Sequence, residues 1–69
     1  MPDSALRQIE MLRLVPREPR SITVSRLADQ LSGSGYEINV RSVQRDLNAL
    51  SSIFDLRNRR EGRVTYWYW

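Results

Sequence analysis

The sequence predicts a small α+β domain in which three helices are followed by a β-hairpin, and three features of the chain predict it. Apolar residues recur at helical spacing through the first fifty positions, and after Ser51-Ser52 the spacing falls toward two. The chain then closes on Val64-Thr65-Tyr66-Trp67-Tyr68-Trp69, nearly all β-branched or aromatic, just after a glycine that suits a turn.

Over residues 5–14, Ile9, Leu12 and Leu6 form one apolar stripe, Glu10 and Arg13 turn outward, and Ser4 is the expected cap. Val15-Pro16-Arg17-Glu18-Pro19-Arg20 stops this first helix, because proline lacks an N–H and disfavours helical geometry in the residue before it. Ser21 and Ile22 form a short extended segment, expected to pair onto the hairpin as a third strand. Thr23 suits the N-cap of a second helix from 24 to about 31, with Leu27, Ala28 and Leu31 as its buried face. Ser32-Gly33-Ser34-Gly35 tolerates positive φ and reverses the chain through Tyr36 and Glu37.

Asn39 is the expected N-cap of the third helix, placed at about 39–52. Val40, Val43, Leu47, Leu50 and Phe54 form its continuous apolar stripe, while Arg41, Gln44, Arg45 and Asn48 share the opposite face. Beyond it, Phe54, Leu56, Asn58 and Arg60 take one parity of a strand and Arg57 and Arg59 the other, with Glu61-Gly62 as the turn. Trp67 and Trp69 are expected to pack on the first and third helices, which leaves Tyr66 and Tyr68 facing solvent, a partner chain or a further domain, and an exposed aromatic patch would support dimerisation.

Composition narrows the function. A chain of 69 residues with 11 arginines, no lysine and 8 acids carries a formal net charge of +3 and has room for one domain with a small core and no large catalytic cleft. The sequence pI near 10.2 suits a polyanion partner, though arginine in place of lysine inflates it and the net charge is the safer guide. Four arginines, Arg57, Arg59, Arg60 and Arg63, fall within seven residues, and Arg41 and Arg45 lie one helical turn apart.

With no cysteine and no histidine, disulfides, zinc fingers and the commonest general base are excluded. No metal or cofactor is expected, and the scattered acids and serines have no activating neighbour, so an enzyme is not expected. No apolar run approaches the roughly 20 residues that cross a bilayer. Met1-Pro2-Asp3-Ser4 lacks the order of a signal peptide, which points to a soluble, intracellular protein.

A short helix, a turn, a second helix with a donor-rich outer face and an arginine-rich hairpin is the layout of a winged helix-turn-helix, whose later helix enters the DNA major groove. Arginine's planar fork pairs with guanine O6 and N7 or with phosphate, and Gln44 and Asn48 carry the groups that read adenine. On this reading Arg41, Ser42, Gln44, Arg45 and Asn48 contact bases and phosphate, Arg41 and Ser42 nearest the helix start. Thr23, Ser25 and Arg26 meet phosphate at the start of the second helix, with Thr23 mainly a cap. Arg57, Arg59, Arg60 and Arg63 reach backbone or minor groove from the hairpin. Asp46 would repel phosphate and is expected to pair with Arg45 or Arg7 instead.

The stretch Ile38-Asn39-Val40-Arg41-Ser42-Val43-Gln44-Arg45-Asp46-Leu47-Asn48-Ala49-Leu50 resembles the recognition helix of WYL-domain transcription regulators, with Arg45-Asp46-Leu47 its most specific part. Tyr66-Trp67-Tyr68-Trp69 resembles the aromatic last strand of that family's N-terminal winged domain. The turn from Ser32 to Glu37 is longer and richer in glycine than is usual there, and the ligand-sensing domain is absent. The resemblance implies an N-terminal DNA-binding domain of a larger regulator, foremost a repressor, acting on double-stranded DNA as a homodimer through this domain or a C-terminal one, in a bacterial-type cytoplasm and associated with the nucleoid. Some such regulators serve phage-defence or DNA-damage responses. Five or six arginines on phosphate would give a log–log salt slope of about −5. The alternative is a winged protein-interaction module that uses the aromatic hairpin; an RNA binder finds no RRM, KH or OB signature.

Overall fold

The computed structural model describes residues 4–69, and the side chain of Ser4, expected as a cap, lies with Met1-Pro2-Asp3 outside what is described. Three helices and three strands run in the order α1 (Ser4–Leu14), β1 (Ile22–Thr23), α2 (Val24–Gly33), α3 (Val40–Leu50), β2 (Arg57–Glu61) and β3 (Val64–Tyr68). The strands form one antiparallel sheet in the order β1-β3-β2, with Ile22 opposite Trp67, Thr23 opposite Tyr66 and Arg59 opposite Tyr66 from the other side. The third strand expected on the hairpin is therefore present, one residue later than Ser21-Ile22.

α2 and α3 each begin and end for a local reason. Thr23 and Asn39 both sit in extended backbone, and their side-chain oxygens accept the N–H groups of Arg26 at 3.2 Å and Ser42 at 2.8 Å. α2 closes in a Schellman motif: the Tyr36 N–H reaches the Leu31 carbonyl at 2.9 Å, the Gly35 N–H reaches the Ser32 carbonyl at 3.1 Å, and Gly35 takes φ +92°. Only glycine holds that conformation at little cost, and Tyr36 then packs back on the core beside Leu31. α3 stops at Leu50 rather than running to 52, because the Ser51 and Ser52 hydroxyls donate to the Asn48 and Ala49 carbonyls at 2.7 Å each.

Between these elements lies one contiguous core of Met11, Val15, Ile22, Val24, Leu27, Ala28, Leu31, Val43, Leu47, Leu50, Leu56 and Trp67. Met11, Leu27, Leu31, Val43, Leu47 and Trp67 are all but inaccessible, and each such side chain contributes about 1.5–3 kcal/mol by leaving water. Trp67 fills the centre under the sheet with its indole N–H buried and unpaired, a cost of about 1–3 kcal/mol set against its large apolar surface. Trp69 ties the strand to the exit of α1, its Nε1 donating to the Leu12 carbonyl at 3.2 Å and its backbone N–H to the Pro16 carbonyl at 2.9 Å.

Several sequence expectations need correction. The buried residues of α1 are Met11 and, just beyond it, Val15, while Leu6 and Ile9 are about half exposed, at 52% and 53%. The cause is Arg7, whose Nη2 and Nε both donate to Asp46 Oδ2, at 2.8 and 3.2 Å. Turning Arg7 toward α3 sets the rotation of α1, so the residues at i+4 and i+8 face inward and Leu6 and Ile9 fall on the flank. Val40 and Phe54 are likewise exposed, at opposite ends of the α3 stripe. The helix ends before Phe54, which meets Trp69 edge to face with centroids 6.4 Å apart. The backbone of the last strand lies nearest α2, while Trp67 shares the core with α1 and α3 residues and Trp69 reaches α1, as expected. β2 starts at Arg57, and Glu61 pairs with Val64, so the turn is Gly62-Arg63. Gly62 at φ +66° takes its first position, as a type II′ turn requires.

Asp46 is the one buried charged side chain among the described residues, which makes the two halves of its ion pair unequal. Arg7→Ala strands a buried carboxylate and should cost about 3 kcal/mol. Asp46→Ala leaves an arginine already 20% exposed free to reach water and should cost roughly half as much. Urea unfolding of both variants and the double variant checks this, with the double expected to match Asp46→Ala; a larger loss from Asp46→Ala alone would contradict it.

Candidate nucleic-acid interface

Burying Val43, Asp46, Leu47 and Leu50 turns the rest of α3 outward in three strips. Arg41, Arg45 and Asn48 form an exposed crest, at i, i+4 and i+7. Val40 and Gln44, at i and i+4, form the flank toward the hairpin, and Ser42 shares the flank of Asp46, which faces α1. Of the five residues expected from α3, Arg41, Gln44, Arg45 and Asn48 therefore occupy adjoining strips of its outward side, and Ser42 alone turns toward α1. Gln44 Nε2 donates to Asn48 Oδ1 at 3.3 Å, joining crest and flank. Ser42 is half-buried, with its N–H held by the Asn39 cap. The N–H groups of Val40 and Arg41, ahead of that capped position, precede the first intrahelical bond and sit at the positive end of the helix dipole.

A cleft of about 230 Å³ runs along this flank, lined by the N-cap Thr23 with Val24 and Ser25 at the start of α2, Val40 and Gln44 from α3, and Arg63, Val64 and Thr65 from the hairpin tip. Residues from three separate stretches of sequence thus converge on one concave surface. Thr23 and Ser25 continue into a neighbouring hollow shared with Arg26, Asp29 and Gln30. Arg26 is exposed there, one turn into α2, and Asp29 is the acid within the hollow.

Strand parity divides the hairpin arginines. Side chains alternate across a sheet, so Arg60, opposite Thr65, lies on the face that also carries Trp67, and Arg57 and Arg59, opposite Tyr68 and Tyr66, lie on the other, which Val64 shares at the tip. Arg60 Nε donates to the Gly62 carbonyl at 3.1 Å, which holds its stem across the tip. Arg63 is exposed within the turn itself and lines the cleft.

On the outer face Arg59 is already engaged. Its Nε donates to Glu61 at 2.7 Å, and its guanidinium lies 5.2 Å from the ring centroid of Tyr66 and 6.0 Å from that of Tyr68. The hydrogen bond to Glu61 raises its pKa above the ordinary arginine value, against a lesser opposing effect of desolvation. Arg57 pairs more loosely with Asp55 at 3.4 Å. The open tyrosine patch expected on this face is absent, since both rings are partly buried and overlain by Arg59.

Sequence reading placed Arg41, Gln44, Arg45, Asn48, Thr23, Ser25 and Arg26 on the surfaces they occupy. It missed Val24, Val40, Val64 and Thr65 as lining residues because their types signalled core and strand. A signal was present in the i, i+4 relation of Val40 to Gln44. No family model, curated protein or solved structure matches the chain.

The cap that starts α3 sets the orientation of crest and flank. Asn39→Ala should cost about 1 kcal/mol and lower the melting temperature by roughly 4–8 °C. Asn39→Asp keeps the acceptor and adds charge that favours the helix start, so it should melt within about 2 °C of the parent. Thermal unfolding followed by circular dichroism reads both; equal losses would show that the side-chain acceptor is not what holds the helix start.

Proposed function

We propose that this chain is a winged helix-turn-helix that binds double-stranded DNA, with α3 in the major groove and the β2–β3 hairpin as the wing. The observation that carries the reading is the cleft shared by the start of α2, the outward flank of α3 and the hairpin tip. An α-helix with its side chains is about 10–12 Å across, which matches a major groove about 12 Å wide. A helix seated there brings the start of α2 and the hairpin tip, which share one flank of α3, up to the phosphates that border the groove.

Residue roles follow from position. Arg41 and Arg45, exposed on the crest, reach guanine edges or phosphate, and Gln44 and Asn48 read adenine. Ser25, Arg26 and the start of α2 bind phosphate, with Thr23 the cap of that helix and a lining residue beside it. Arg60 and Arg63 meet the backbone or minor groove. Arg57 and Arg59, on the far face and already paired, contribute long-range charge only, and Ser42 supports the helix from the α1 side.

The biological role that fits is the DNA-binding part of a transcription regulator, foremost a repressor, acting as a homodimer in a bacterial-type cytoplasm. Among the described residues no helix is long and apolar enough to cross a membrane. A domain of this size makes few phosphate contacts, so two copies on paired half-sites supply the affinity that one lacks.

Fluorescence anisotropy with random-sequence duplex across a salt series tests the reading. Five contacting arginines, Arg26, Arg41, Arg45, Arg60 and Arg63, predict a log–log slope near −4.5 at roughly −0.9 per contact. Arg41→Ala with Arg45→Ala should weaken binding and flatten the slope by about 2, while Arg57→Ala and Arg59→Ala should each change affinity by less than about threefold. Binding indifferent to Arg41 and Arg45, or absent at low salt, overturns the assignment.

A further inference from the structure

Val40 opens α3 directly after its cap and stands 46% exposed in the cleft, with Gln44 one turn along and Val64, 41% exposed, across from it at the hairpin tip. Val40 is no part of the buried core or of the residues packed against it. It lies one turn before Val43, the first α3 side chain to enter the core. A β-branched residue is also a poorer helix former than alanine at an exposed position. Every other lining side chain of α3 and of the turn, Gln44 and Arg63, offers hydrogen bonds to a nucleic acid. Val40 offers none, and can contribute only where its partner is apolar.

In the major groove of unmodified DNA that partner is narrowly defined, because the C5 methyl of thymine is the apolar group presented there. We infer that Val40 seats the C5 methyl of a thymine, which makes it a specificity-determining residue on the cleft flank of α3; this rests on the DNA-binding reading above. Its stiff side chain loses little rotamer freedom on contact. Gln44, one turn along the same flank, then addresses a base pair close to that thymine. A site read this way holds a thymine at a fixed position in each half-site, distinguished from cytosine by the methyl and not by a hydrogen bond.

The test uses duplexes selected from a random library by the whole 69-residue chain, with each thymine in turn replaced by deoxyuridine, which pairs identically but lacks the methyl. Anisotropy at fixed salt should find one thymine per half-site whose replacement weakens binding about fourfold, the value of one buried methyl-sized group converted at 1.4 kcal/mol per tenfold. Val40→Ala, with unchanged circular dichroism, should bind the thymine and deoxyuridine forms of that site equally while still discriminating elsewhere. Val40→Thr, which keeps one methyl, should retain part of the difference.

Indifference of the parent chain to every such replacement overturns the inference and leaves DNA binding standing. So does discrimination that survives in Val40→Ala, or that is lost in Val64→Ala but not in Val40→Ala. A chain that selects no duplex at all overturns the DNA-binding reading, and this inference falls with it.

Discussion

The contact between Arg7 and Asp46 ties the inner side of the molecule to its outer one. A carboxylate buried in the middle of α3 costs several kcal/mol unless paired, and the Arg7 guanidinium supplies two donors to a single oxygen, Oδ2. Satisfying that charge sets the rotation of both helices together. α1 turns Met11 and Val15 inward, and α3 turns Val43, Leu47 and Leu50 the same way. The crest of Arg41, Arg45 and Asn48 then faces solvent, because the opposite side of the helix is fully committed.

The hairpin is held to this unit by aromatic packing. β2 is exposed along its whole length and could not stand alone; it is carried by β3, whose Trp67 is buried among the helices' apolar residues. Trp69 adds the tie to the end of α1. The far end of the hairpin, with Gly62 and Arg63, projects beside the start of α3 and closes one side of the cleft. The interface is therefore assembled by the core: Trp67 fixes the hairpin against α2, Asp46 fixes α3 against α1, and the cleft is what remains between them.

Much of this was legible in the sequence, for physical reasons that are local. Thr23 and Asn39 are caps because their short oxygen-bearing side chains reach back to their own helices, and β-branched and aromatic residues after Gly62 leave little choice but a strand. The crest of α3 followed from helical period alone. The rotation of α1 was not legible, because Leu6, Ile9 and Leu12 make as good a stripe as the true one, and what decides between them is a charge on a helix nearly forty residues away. The division of the hairpin arginines was also hidden. It depends on strand register, which a two-residue shift of the turn would preserve and a one-residue shift would invert. Asp46 was read as an ion-pair partner with two possible arginines, and tertiary packing chose Arg7 over its sequence neighbour Arg45.

The central claim is that one surface, built from the start of α2, the outward side of α3 and the hairpin tip, meets DNA. Amide chemical-shift mapping of the isotopically labelled chain during titration with duplex DNA tests it most directly. The account predicts perturbations at Ser25, Arg26, Val40, Arg41, Gln44, Arg45, Asn48 and residues 60–65, with Ile9, Arg13 and Ile53 unmoved. Perturbations centred on Ile9, Ile53 and Phe54, with the crest of α3 unchanged, would contradict it.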